Sequence, residues 1–117
     1  MISIRQPSRL HVRVQVVGGR LGVNTLSGPI EALAVDVSMG GIGFHSPERL
    51  TVDERGVVLF SLPDEAGQEF EMVVRGSFTH SVLDEKAGSY QTGFVFDALT
   101  KAQYRVLLAY VGAKEKA

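Results

Sequence analysis

The stretch Asp36-Val37-Ser38-Met39-Gly40-Gly41 has the form D-x-S-x-x-G. On extended backbone a carboxylate and a hydroxyl two residues apart point the same way, because side chains alternate with period two. Gly40 and Gly41 then permit a turn with positive φ and leave bare peptide where a ligand can come close. The chemistry of such a group is binding: an acceptor, a hydroxyl and open backbone at one spot. Asp, Ser and Gly are also ordinary turn residues, and Asx or Ser turns account for them with no ligand at all. The fragment alone leaves both readings open.

Cations lie upstream. Arg5 and Arg9 stand four apart in Arg5-Gln6-Pro7-Ser8-Arg9, and Arg9-Leu10-His11-Val12-Arg13 is a second, overlapping R-x-x-x-R. By themselves they read as solvated charges. Other chemistry is poorly served. His11, His45 and His80 are widely spaced, with no carboxylate at ligand spacing, so no metal is expected. No Ser/His/Asp order and no paired carboxylate suggests catalysis, so the chain is not expected to be an enzyme. Asp64/Glu65 and Asp84/Glu85 read as solvated turns. Phe94, Phe96, Tyr104 and Tyr110 read as core or helix packing rather than a platform for bases.

The elements that must position these residues are mostly strands. Residues 1–9 are polar, with Pro7 and Ser8 against regular structure, and read as a flexible arm. Residues 10–117 read as a single domain. Leu10 to Val16 alternates strictly, with Arg13 on the polar face. Gly18-Gly19 signals a hairpin, the piece through Leu26 is undetermined, and Ser27-Gly28-Pro29 is a second turn. In Ile30 to Ser38 the alternation puts Leu33, Val35 and Val37 on one face and Ala34, Asp36 and Ser38 on the other. Ile42–His45 resumes extended structure before Pro47. Gly56–Leu62 is nearly continuous apolar, as in a strand buried on most sides. Phe70–Leu83 is a long strand, with Phe70, Met72, Val74, Phe78 and Val82 in one phase; Gly76 marks a bulge or bend. Tyr90–Phe96 is the last strand.

The period then changes. Thr100-Lys101-Ala102-Gln103 is a capping box. Tyr104, Leu107, Leu108 and Val111 follow as one helical stripe, ended by Gly112. Six or seven short antiparallel strands and one C-terminal helix predict a mainly β, Greek-key-like barrel, with the helix over an open end or against a partner.

The 117 residues suffice for one core, and the net charge is −1. A general nucleic-acid or membrane-surface binder would need a basic excess. There is no cysteine, so disulfides, thiolate catalysis and cysteine-bound zinc are excluded. No apolar run approaches the ~20 residues that span a bilayer. The N-terminus lacks the apolar core of a signal peptide, and a cytoplasmic protein is expected.

R-x-x-x-R, D-x-S-x-x-G and Tyr90-x-x-Gly93-x-x-Phe96 occur in that order, over about residues 4 to 112. Together they resemble the PilZ domain, a bacterial receptor module for the second messenger cyclic di-GMP. The resemblance implies a six-stranded antiparallel barrel with a C-terminal helix, and the dinucleotide as ligand rather than as a cofactor. It implies Arg5, Arg9, Asp36, Ser38 and Gly41 as ligand residues, with Gly40 beside them and Arg13 in reserve. Arg5 and Arg9 are favoured because an arm before the first strand can wrap a ligand. An arginine fork suits phosphate oxygens or the O6/N7 edge of guanine. Asp36 would accept from guanine N1–H and the exocyclic amine, Ser38 would add a hydrogen bond, and Gly41 would avoid a clash. The commoner family form has a further arginine before the motif; here that position is Ile4, which implies one ligand per chain.

The function so implied is non-enzymatic. Ligand would order the arm and change a surface offered to an unidentified effector protein. Family outputs include flagellar motility, exopolysaccharide synthesis and the biofilm it builds, pilus function and virulence. One rival is a PilZ-like adaptor acting by protein contact without nucleotide. The other is a small oligonucleotide-binding barrel, which would want basic strands with exposed aromatics. No DNA or RNA partner and no membrane insertion are expected.

Overall fold

Glycine, proline and acidic turns punctuate the chain, and the computed structural model, which describes residues 13–16 and 19–116, follows that punctuation. Seven strands precede one helix: β1 (Val14–Gln15), β2 (Arg20–Thr25), β3 (Gly28–Val37), β4 (Gly41–Ser46), β5 (Arg55–Pro63), β6 (Glu69–Asp84), β7 (Ser89–Phe96) and α1 (Lys101–Lys116). The sheet order is β1-β3-β2-β5-β6-β7-β4, and β3 also pairs with β4. That pairing closes β2 to β7 into a six-stranded antiparallel barrel, which removes its free edges. β1 is the extra strand. Its Val14 and Gln15 pair with Val37 and Asp36, while β2 pairs with residues 28–33 of the same strand. The expected mainly β barrel with a single C-terminal helix is the fold the chain adopts.

The inward side chains fill the barrel. Val23, Val37, Ile42, Phe44, Val58 and Phe78 are fully inaccessible to solvent. Each such burial stabilises the fold by about 1.5–3 kcal/mol relative to exposure. Phe78 and Phe94 pack with ring centroids 5.2 Å apart. The capping box forms as its sequence predicts. Gln103 N donates to Thr100 Oγ1 at 3.1 Å, and Thr100 N donates to Gln103 Oε1 at 2.9 Å. From there α1 runs against β1 and β5. Leu107 and Val111 enter the core, so the helix covers an end of the barrel.

Several local expectations are corrected. The undetermined piece before Leu26 is strand β2. The turn falls at Leu26-Ser27, and Gly28 already begins β3. Of the expected first strand, Leu10 to Val12 lie outside the described residues, as do Val17 and Gly18. In β3 the first half faces the other way: Ala32 and Ala34 are buried and Leu33 is 57% exposed. A register shift between Ala34 and Asp36 then turns Val37 inward. β5 is not buried all round; Val58, Phe60 and Leu62 are buried while Val57 and Leu59 are half-buried. Gly76 is not a bulge. It stays in register between Gly56 and Phe96, and a Cβ there would collide with the Val95 carbonyl. The irregularity comes two residues later, between Phe78 and His80, and it leaves Val82 exposed. On α1, Tyr104 and Leu108 are exposed, and Gly112 lies inside the helix.

Candidate functional site

The Ser38 turn joins β3 to β4 and is closed by its own residues. Ser38 N donates to Gly41 O at 2.9 Å, and Gly40 N donates to Ser38 Oγ at 3.2 Å. Phe96 N donates to Gly40 O at 2.8 Å, which ties the turn to β7. Ser38 is 1% exposed, so its hydroxyl shapes the turn from inside. Neither Gly40 nor Gly41 has the positive φ expected of it; Gly28, Gly67 and Gly88 do. The reason for glycine at position 41 is packing. A Cβ there would collide with the Phe94 carbonyl across the β4–β7 pair.

Arg13, just before β1, reaches this turn. Its Nε donates to Asp36 Oδ1 at 2.8 Å, and its Nη2 lies 2.8 Å from the same oxygen. Its Nη1 donates to Ser38 Oγ at 3.4 Å. The pair is half in water, with side-chain exposures of 44% for Arg13 and 29% for Asp36. β1 makes this contact possible, since pairing Gln15 with Asp36 sets Arg13 beside Ser38.

A groove of about 400 Å³ opens beside the pair. Its floor follows from strand register. Asp36 pairs with Gly43, Gly43 with Gly93, and Gly93 with His80, in one row across β3, β4, β7 and β6. The two central glycines leave the floor without side chains. A Cβ on Gly43 would stand 2.5 Å from Asp36 Oδ1 and 3.5 Å from Arg13 Nη2. Gln91 and Val95 border the groove on either side of Gly93. The arrangement offers a fork of donors, a carboxylate and a flat peptide floor. That suits a planar ligand with both an anionic and a hydrogen-bond-donor edge.

Of the residues singled out from the sequence, Asp36, Ser38, Gly40, Gly41 and Arg13 all line this groove. Arg5 and Arg9 lie outside the described residues. Gly43, His80 and Gln91 were missed as site residues. A glycine within a strand is the one signal that Gly43 carried; His80 and Gln91 arrive through cross-strand register. Among the described residues, no group of three or more His, Cys, Asp or Glu side chains could hold a metal ion, and no helix is long and apolar enough to cross a membrane.

A family model described as PilZ domain matches residues 3–113. No curated protein sequence matches the chain. Among solved structures, the Bacillus subtilis inhibitor of motility MotI/DgrA superposes with a TM-score of 0.79 at 16% identity, over 97% of this chain and 53% of that one. The chain thus spans about half the length of that protein. The PilZ domain of YcgR from Escherichia coli, determined with c-di-GMP, superposes with a TM-score of 0.63 at 15% identity, over 90% of this chain and 89% of that one. At these identities the structural likeness is one of fold.

Proposed function

The chain belongs to the PilZ domain family, a family of receptor and adaptor domains, and from that premise we propose that it binds cyclic di-GMP in the groove beside the Asp36 turn. The observation that carries the reading is the joint hold of Arg13 on Asp36 and Ser38 at the open end of a glycine-floored groove. Asp36 accepts from the N1–H and amine edge of a guanine. Arg13 offers its remaining N–H donors to a phosphate or to the O6/N7 edge. Ser38 and Gly41 act on the turn, and so on where Asp36 stands. The placement of Arg13 supports the overlapping register Arg9-x-x-x-Arg13, with Arg9 as the second guanidinium and Arg5 further out. Residues 1–9 form the arm and residues 10–117 the single domain that carries the groove. Binding orders the arm and alters the surface seen by an effector protein, with motility as the favoured output.

Calorimetry tests this reading. The expected result is saturable binding of cyclic di-GMP at one per chain, tighter than cyclic di-AMP, with no binding of single-stranded RNA. The ratio of one follows because neither Ile4 nor Ser8 supplies an arginine before either R-x-x-x-R. Absence of saturable cyclic di-GMP binding would overturn the receptor reading in favour of a protein-contact adaptor. Preference for RNA would favour an oligonucleotide-binding barrel.

A further inference from the structure

The groove has a second wall that none of the three motifs contains. In β6, Phe78 pairs with Phe94 and His80 with Gly93, so Thr79 is an extra residue without a partner on β7. A bulge of this kind re-aims side chains, and here Thr79 and His80 are both exposed. The imidazole lies over Gly93, where a Cβ would stand 2.8 Å from its Nδ1. Thr79 Oγ1 is 3.3 Å from that same nitrogen, which steadies the ring. Phe44 and Phe94 also border the groove, but they are 0% and 3% exposed. Among the described lining residues, His80 is therefore the exposed aromatic face.

The row Asp36–Gly43–Gly93–His80 crosses three strand spacings, roughly 14 Å at about 4.8 Å each. That span exceeds one purine. A cyclic dinucleotide has two bases, and the Arg13–Asp36 end holds one. We propose that His80 is a ligand-contacting residue on which the second guanine of cyclic di-GMP stacks, at the opposite end of the groove. Gly93 is then glycine because a side chain there would displace the ring. The inference rests on the groove being the dinucleotide site.

The test is calorimetric titration of cyclic di-GMP into the wild type, His80→Ala, His80→Phe and Arg13→Ala, with thermal melts as a folding control. Loss of one base–aromatic stack predicts about five- to a hundredfold weaker binding for His80→Ala. His80→Phe keeps a flat ring and should restore most of that loss. In the saturated wild type, NMR should show Overhauser contacts between the His80 ring protons and a guanine H8. His80→Ala binding as tightly as wild type, or saturation without that contact, would overturn the role of His80 alone. A wild type that does not bind, or Arg13→Ala binding normally, would overturn the groove reading itself.

Discussion

The Arg13 guanidinium touches Asp36 through two of its nitrogens and Ser38 through the third. An ion pair this exposed contributes only about 0–1 kcal/mol to stability. Its loss to a bound anion is another matter, since each charge-assisted hydrogen bond is worth ~1.5–3 kcal/mol. Arg13→Ala should therefore leave the melting temperature nearly unchanged and weaken cyclic di-GMP roughly ten- to a hundredfold by calorimetry. Asp36→Ala should weaken binding and also narrow the preference for cyclic di-GMP over cyclic di-AMP, because adenine lacks the same donor edge; equal wild-type affinities would contradict this. The spacing of Asp36 and Ser38 marks a turn, and on its own it does not separate a ligand site from ordinary turn chemistry. Arg5 is favoured over Arg13 in the sequence because an arm before the first strand can wrap a ligand, and period-two alternation gives no sign that Arg13 lies beside a turn 25 positions away. A second ion pair makes a separate prediction. Arg55 hydrogen-bonds Asp97 and holds its carboxyl below the usual range. A carboxyl depressed by folding adds stability above its unfolded pKa and loses it as pH falls through the folded value. Thermal melts should show Asp97→Asn less stable than wild type at neutral pH, with the gap closing as acid protonates Asp97.

At the scale of elements, glycines set which strands can lie side by side. Gly41 allows β4 to meet β7 where the Phe94 carbonyl leaves no room for a methyl group. Gly41→Ala should lower the melting temperature by several degrees, as overpacking costs about 1–3 kcal/mol. It should also disturb the Asp36 turn, so affinity should fall with stability; a variant that melts like wild type would refute the packing argument. Apart from β2, element types were readable because period-two runs and a capping box are local signals. Facing was less so. The run Ala32-Leu33-Ala34-Val35 alternates by size, and the larger residue faces out because β3 changes register before Asp36. β6 behaves likewise, with Val82 outside after the irregularity at Phe78 and His80. A bulge shifts every later side chain to the other face, and its partner strand, not its own sequence, decides where it falls. For the same reason His80 looked like an isolated histidine until β6, β7, β4 and β3 were laid in order.

The whole molecule is a barrel closed by the β3–β4 pair, with α1 over one end and the groove on the face built from β3, β4, β7 and β6. Closure fixes that row of strands, so the groove floor is as rigid as the fold. β1 pairs Gln15 with Asp36, and Arg9 and Arg5 precede it in the sequence, which is the basis of the proposed link between ligand and arm. Cyclic di-GMP is proposed to occupy this face. The most direct measurement is an amide NMR titration of the full chain with cyclic di-GMP. Saturable shifts are expected at Arg13, Ser38, Gly40, Gly41, Gly43 and Gly93, with little change along α1. No saturable shift, or shifts gathered on α1 and absent from the glycine row, would contradict it.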